Sequence, residues 1–377
     1  MQFRPFEMER WQSLWENRVR YNLSESGVTP FTLQELTELT GADPSATGLG
    51  YGHTEGSPLL RERIAALYPG ATPEEILVTS GSAEANFIAC WTLVEPGDRV
   101  VVVTPTYGQT PGLVRSLGAE FIELPLEEDL GWQPAPGAAA AMIGPGTRLV
   151  VITNPNNPTG AVLSPSSLAE IVDAAERAGA WILADEVYAG AELAGPVTRT
   201  VWGGARRVVA TASLSKAYGL PGLRIGWLVA DRSFRDEMWA RKDYTTIAPS
   251  VLSDHLAAAA LESEARARIL ARTRRILSRH FAILDAWVTG LAGVLRYRPP
   301  DAGAIAWIGY DLPVGSDDLA ERLRAERDTL LVPGSQFGLG GYFRVGFGYS
   351  EDHLRGGLEA LTGLLIELSE TRVATSS

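Results

Sequence analysis

From residue 76 to residue 230 the chain alternates short, apolar, β-rich runs with stretches of helical periodicity. The runs are Ile76-Leu-Val-Thr, Arg99-Val-Val-Val-Val-Thr, Phe121-Ile-Glu-Leu, Arg148-Leu-Val-Val-Ile-Thr, Trp181-Ile-Leu-Ala-Asp, Arg207-Val-Val-Ala-Thr-Ala-Ser and Ile225-Gly-Trp-Leu-Val-Ala. Several are apolar at nearly every position, as strands covered by helices on both faces must be, and most connections are long enough for parallel crossovers. The pattern predicts an α/β fold around a mixed, mostly parallel sheet of seven strands, with functional groups gathered at the strands' carboxyl ends.

After Asp254 an Ala-, Leu- and Arg-rich stretch runs to about Gly290 at helical spacing, with no proline to interrupt it, and reads as a helix joining two domains. Beyond it, Ala304-Ile-Ala-Trp-Ile-Gly, Thr329-Leu-Leu-Val-Pro and Tyr342-Phe-Arg-Val-Gly-Phe alternate with helical segments starting near Ser316 and Glu351, which predicts a smaller α+β domain. The expected division is an N-terminal segment, 1–45, joining the small domain, a large domain over 46–283 and a small domain over 284–377. Pro134-Ala-Pro-Gly-Ala-Ala-Ala-Ala reads as a surface connection or short helix, and Val373-Ala-Thr-Ser-Ser as a frayed end.

Composition narrows the function. A chain of 377 residues that is 45% hydrophobic can bury a large core, and a net charge of -12 argues against broad binding to a phosphate backbone, so no nucleic-acid partner is expected. The single cysteine, Cys90, lies among apolar residues, which excludes an internal disulfide framework and fits a reducing compartment. Charges occupy the first ten residues where a signal peptide needs its apolar stretch, and no run of about 18 apolar residues exists to span a membrane. A cytoplasmic protein without a membrane partner is expected. His53, His255, His280 and His353 show no paired metal spacing, so no metal is expected.

Only two of the 33 basic residues are lysines, and one sits in Ser213-Leu-Ser-Lys216-Ala-Tyr-Gly-Leu-Pro-Gly-Leu-Arg224-Ile-Gly. Arginine serves solubility and ion pairing equally well but cannot release its proton, so Lys216 points to a task that needs a neutral amine. In a dry pocket near other cations an amine loses charge readily, and its neutral form attacks carbonyls. Lys216 is therefore a candidate Schiff-base lysine.

Three other clusters fall at strand ends. Thr79-Ser80-Gly81-Ser82-Ala83-Glu84 lies between a strand and an apolar helix, where Gly81, Ser82 and Ala83 would let backbone amides and a helix terminus approach a phosphate; a plain helix cap explains it as well. Thr153-Asn-Pro-Asn-Asn157-Pro-Thr-Gly160 is a turn in which Asn157 can present an amide to a ring oxygen, or a purely structural loop. Asp185-Glu-Val-Tyr188 could pair a carboxylate with a protonated pyridine nitrogen and a phenol with the ring's phenolic oxygen, or Asp185 could cap a helix. Beside Lys216, Ser213 and Arg224 have the chemistry of phosphate ligands. Together the four sites form the constellation that bound pyridoxal phosphate (PLP) requires.

On these motifs the chain, from about Tyr51 to Phe347, resembles the class I/II aminotransferases of PLP fold type I. The resemblance places the family's ordered asparagine, aspartate, tyrosine, lysine and arginine at Asn157, Asp185, Tyr188, Lys216 and Arg224. It implies that Tyr107 stacks on the pyridine ring, that Tyr51 reaches the phosphate of a neighbouring subunit, and that the protein is a homodimer with shared active sites. It implies further that Arg344 grips the substrate α-carboxylate and that Gly27 lies over the substrate. The implied catalytic set is Lys216, Asp185 and Tyr188, and the implied activity is transamination between an L-amino acid and a 2-keto acid.

Other classes fit less well. Ser213-Leu-Ser-Lys216 also matches a Ser-x-x-Lys hydrolase motif, but the Lys-Thr-Gly element such enzymes need is absent, since the other lysine, Lys242, precedes Asp243. No Gly-x-Gly-x-x-Gly follows the first strands, which argues against a dinucleotide-dependent dehydrogenase. The segments 214–227, Arg241-Lys-Asp-Tyr-Thr-Thr and Leu331-Val-Pro-Gly-Ser-Gln-Phe look similar to capreomycidine synthase-like, arginine-processing enzymes of natural-product pathways, which leaves a PLP-dependent cyclase, oxidase or lyase as the alternative activity. Glu25 could place a carboxylate near a cationic substrate tail, although a solvated loop glutamate is the expectation for that position.

Overall fold

The computed structural model describes residues 3–375. Its N-terminal segment carries α1 (Glu7–Trp15), the two-residue strand β1 (Tyr21–Asn22), α2 (Leu33–Thr40) and α3 (Pro58–Ala65). Thr32 and Ser57 start α2 and α3 by accepting from Glu35 N and Leu60 N, and Pro58 sits where a missing N–H costs nothing.

The large sheet follows: β2 (Ile76–Thr79), β3 (Arg99–Thr104), β4 (Glu120–Glu127), β5 (Gln133–Pro134), β6 (Thr147–Thr153), β7 (Trp181–Asp185), β8 (Val208–Ser213) and β9 (Gly226–Val229). Its order is β2-β9-β8-β7-β6-β3-β4-β5, with β9 antiparallel to both neighbours and β5 antiparallel to β4. All seven expected strands are present; β5 is an eighth, a two-residue edge piece held by Leu126↔Pro134 and Glu127↔Gln133. The inner strands alternate faces although both faces are apolar. Leu77, Val100, Val102, Leu149, Val151, Leu183 and Leu228 pack with Ile88 and Leu93 of α4 (Ser82–Leu93), whereas Val78, Val101, Val103, Val150, Ile152, Ile182 and Val229 face the main core. At roughly 25 cal/mol per Å² of apolar surface, this two-sided burial is what holds the parallel strands together. Cys90 is buried on the α4 side as packing.

Crossover and flanking helices are α5 (Gln109–Ser116), α6 (Ala138–Met142), α7 (Pro165–Ala178) and α8 (Arg232–Lys242). The expected unbroken helix from Asp254 to Gly290 is instead two, α9 (Val251–Ala260) and α10 (Ser263–Gly290). Glu262 makes the break, turning its carboxylate back to accept from Glu264 N and Ala265 N and so starting a new helix.

The C-terminal part carries a four-stranded sheet of order β10-β11-β14-β13, from β10 (Leu295–Tyr297), β11 (Ile305–Tyr310), β13 (Val332–Pro333) and β14 (Tyr342–Gly346), with α11 (Ser316–Arg327) and α12 (Glu351–Thr375). Val373, Ala374 and Thr375, read as part of a frayed end, continue α12; Ser376 and Ser377 lie outside the described residues. A separate parallel pair joins β1 to β12 (Thr329–Leu330) through Tyr21↔Thr329 and Asn22↔Leu330. The N-terminal segment is thereby fastened to the C-terminal part of the chain. Among the described residues no helix is long and apolar enough to cross a membrane.

Candidate active site

The carboxyl ends of β2, β3, β6, β7 and β8 deliver Thr79, Thr104, Thr153, Asp185 and Ser213 to one side of the large sheet, and the lysine segment follows β8 directly. Lys216 Nζ lies 3.3 Å from Glu25 Oε1, a carboxylate from the N-terminal segment. Glu25 is therefore no solvated loop residue: its Oε1 also accepts from Ser26 N (2.9 Å) and Gly27 N (2.8 Å), and the lysine's charge is the main cause holding its carboxyl down at about 2. For Lys216, burial is the largest influence and works to discharge the amine, but Glu25 and Tyr188 together more than offset it and leave the pKa raised. The expectation of a readily discharged amine thus fails for the free side chain, because a carboxylate, and not only cations, faces it.

The second lysine does a different job. Lys242 is fully buried, its pKa is lowered by burial, and its Nζ donates to Thr54 O (3.1 Å) and Ile247 O (2.7 Å), tying two loops together.

Asp185 Oδ2 accepts from Asn86 Nδ2 at 2.8 Å and Oδ1 from Val187 N at 3.1 Å. Asn86 is itself oriented by Thr211, whose hydroxyl donates to Asn86 Oδ1 at 2.7 Å; with that oxygen taken, the amide nitrogen must face Asp185. Burial raises the Asp185 pKa, against the pull of these hydrogen bonds and the Lys216 charge. A buried carboxylate in this state has its lowest energy when a cation is brought to it. Asn86 and Thr211 were not singled out from sequence, though a lone asparagine inside Ala-Asn-Phe-Ile-Ala-Cys-Trp is the polar exception that marks it.

Arg344 on β14 is 1% exposed, with Nη1 donating to Asn157 Oδ1 (3.0 Å) and Nη2 to Ser24 O (2.6 Å), while its buried Nε has no partner. Burial lowers its pKa, against the nearby Tyr188, Glu25, Glu9 and Tyr107. Asn157 thus touches Arg344 as well as standing in the turn after β6. Gly27 lies beside the lysine: a Cβ there would be 3.2 Å from Glu25 Oε1 and 3.8 Å from Lys216 Cδ. Tyr107 donates to Glu9 Oε1 at 2.6 Å and meets Phe6 edge-on with ring centroids 5.0 Å apart, so α1 roofs the site. Burial, then Glu9, raises the Tyr107 pKa.

Ser213 is buried and its Oγ accepts from Ser215 N at 3.2 Å. Arg224, in a left-handed conformation (φ 50°), reaches back over the Gly81 turn, where a Cβ on Gly81 would be 2.5 Å from Arg224 Nη2. Gly81, at φ 87°, leaves α4 without a side-chain cap, and Ser82 and Ala83 open the helix beside it. Tyr188 is buried against Gly303. Tyr51 is not brought to this site within one chain; its side chain stands 93% exposed.

These residues fit pyridoxal phosphate. The uncapped N-terminus of α4 with Arg224 and Ser213 would take the phosphate, Asp185 the ring nitrogen, Asn157 and Tyr188 the ring oxygen, and Lys216 the aldehyde carbon. Among the described residues no group of three metal-ligating side chains occurs.

The family model of aminotransferase class I and II matches residues 15–361. Capreomycidine synthase of Streptomyces vinaceus is 32% identical over 363 residues, 94% of this chain and 92% of that one. Among solved structures, a PLP-dependent aminotransferase from Streptococcus suis superposes with a TM-score of 0.91 at 36% identity, covering 98% of this chain and 99% of that one. The PLP-dependent cyclase OrfR superposes with a TM-score of 0.88 at 29% identity, covering 97% of this chain and 98% of that one.

Proposed function

The chain belongs to the aminotransferase class I and II family, and from that premise we propose that it moves an amino group from an L-amino acid to a 2-keto acid, with Lys216 as the proton carrier. The fold is that of PLP fold type I, and pyridoxal 5'-phosphate is the cofactor. When bound, it supplies an aldehyde for the amino group and a ring that takes up the electrons left by the departing α-proton. Lys216 Nζ removes that proton and gives one back. Glu25, beside Nζ, keeps the amine in the chamber while it is free. Asp185, aimed by Asn86, holds a proton on the ring nitrogen by facing it with negative charge. Arg344, pinned by Asn157 and Ser24, presents guanidinium edge to the substrate carboxylate, and Gly27 closes over the lysine to exclude water.

One observation carries this reading: the only lysine outside structural packing shares its chamber with a buried, partly unpartnered arginine. The test is stoichiometric. With an amino acid and no keto acid, the loaded enzyme should release one keto acid per site and stop, then resume when a keto acid is added. Many turnovers without a keto acid would overturn transamination. The similarity to a capreomycidine synthase and to a cyclase favours, as second reading, a cyclisation, oxidation or elimination that uses the same lysine and needs no acceptor.

We also propose a homodimer with shared sites. Its support is the exposure of the apolar residues Leu49, Tyr51, Leu59, Tyr244 and Ile247, which leaves Tyr51 open to a second copy. The pairing of β1 with β12 supports grouping 1–45 with 284–377 against 46–283, and the lone buried cysteine suits the cytoplasm.

A further inference from the structure

Asp185 and Glu186 are consecutive at the end of β7, so their side chains leave opposite faces of the large sheet. Asp185 turns toward α4, where it meets Asn86. Glu186 follows the parity of Ala184 and faces the main core side, where a cavity of about 1220 Å³ opens behind β7, β8 and β9. Its walls are apolar, from Leu67 and Tyr68 after α3, Leu168 and Val172 of α7 and Trp227 of β9.

Glu186 is 6% exposed. Its Oε1 accepts from Thr200 Oγ1 at 2.8 Å and from Val201 N at 2.7 Å, while Oε2 has no partner among the described residues. Thr198 Oγ1, which also lines the cavity, is buried and makes no hydrogen bond either. With no cation beside the carboxyl, burial pushes it up to about 7, and the charge of Asp185 adds to the shift. The other charges of the lining are engaged or wet. Glu192 pairs with Arg274 and Asp301 with Arg298, Arg266 donates to the Tyr218 hydroxyl, and Asp173 and Arg199 are exposed. Glu186 is thus the buried anion of this cavity that a cation would satisfy.

We propose that the cavity is a ligand site, on the sheet face opposite the Asp185 carboxylate, for a small molecule with an apolar body and an amidinium or guanidinium head. The head pairs with Glu186 and the body packs against Tyr68, Val172 and Trp227. Such a head has N–H donors enough for both Oε2 and the Thr198 hydroxyl. It is also more weakly hydrated than an ammonium group and so enters an apolar cavity at lower cost. The volume is ample for a drug-sized molecule.

The test is calorimetric titration of the PLP-loaded protein with benzamidine, and with benzoate as its anionic counterpart. Benzamidine should bind and benzoate should not. Because the head pairs with the ionised carboxylate, affinity for benzamidine should rise about tenfold from pH 6 to pH 8. Glu186→Gln, whose amide oxygen still accepts from Thr200 and Val201, should weaken binding at least about tenfold. Val172→Phe, which fills the cavity from α7 and leaves Glu186 in place, should weaken it too. Absence of benzamidine binding, benzoate binding as tightly, or unchanged affinity in both variants overturns the proposal; the last result would put the probe elsewhere on the protein.

Discussion

Gly346 closes β14 two residues after Arg344, and its N–H donates to Leu23 O at 2.6 Å. A methyl built on it would overlap the Glu25 carbonyl oxygen and lie 2.9 Å from the Glu25 carbonyl carbon. In Gly346→Ala something must move. β14 is held by β11 on one side and β13 on the other, whereas residues 23–25 form an irregular strap with few backbone partners, so the strap yields. Restoring van der Waals contact requires a shift of about 1 Å or more, and overpacking of this kind costs about 1–3 kcal/mol of stability. The displaced strap carries Ser24 O away from Arg344 and the Glu25 carboxylate away from Lys216. Misplacement on this scale can lower kcat/KM by roughly 100-fold. Asp185 and Ser213 end strands of the large sheet and Gly81 and Arg224 lie in the turns beside β2 and β9, so cofactor affinity should stay within about twofold, well under the 1.4 kcal/mol that a tenfold change represents. Cofactor titration by absorbance and steady-state kinetics on the same preparation separate the two effects. Unaltered kcat/KM, or cofactor and substrate affinity lost together, would refute the reasoning.

Asn86→Ala should leave Asp185 Oδ2 and the Thr211 hydroxyl unpaired in the interior, at a cost of about 1–3 kcal/mol, and should lower kcat about tenfold or more with the cofactor retained; unchanged turnover in a kinetic assay would show that Val187 N alone aims the carboxylate. Glu186, beside Asp185, has its carboxyl pushed up by burial from 4.5 to about 7, so the unfolded chain sheds this proton first and the group's stabilisation, complete below 4.5, is lost as pH rises to about 7. The loss should be on the order of 3 kcal/mol, and urea midpoints between about pH 5 and pH 8 should show a fall that Glu186→Gln flattens.

Strands buried on both faces advertise themselves. Val100 to Val103 and Leu149 to Ile152 are continuous apolar runs between turn residues, and each of the seven such runs is a strand of the large sheet. Two-residue strands such as β1, β5 and β12 have no room for periodicity; their existence depends on partners elsewhere in the chain. The break at Glu262 was hidden because Leu261, Glu262 and Ala265 are all good helix formers and only the turned-back carboxylate ends the helix. The candidate cofactor constellation is legible because its side chains are adjacent in sequence to strand ends. Glu25 was misread because its surroundings are set by pairing across more than 300 residues, and no local pattern encodes that. Arg344, by contrast, was conspicuous as the single charge in an apolar strand.

Ser24 and Arg344, which meet in the finished site, are 320 residues apart. The strap is therefore synthesised long before Leu330 and Gly346, the residues that its backbone pairs with, follow. At translation rates of roughly 5–20 residues per second, it waits on the order of 15–60 seconds. The large sheet is complete by Val229, so the nascent chain has the strand ends that carry Asp185 and Ser213 well before it has β14 and Arg344. Synthesis completes the large sheet first and the β14 side of the candidate site last, so a chain that stops short of β14 would carry Asp185, Ser213 and Lys216 without Arg344.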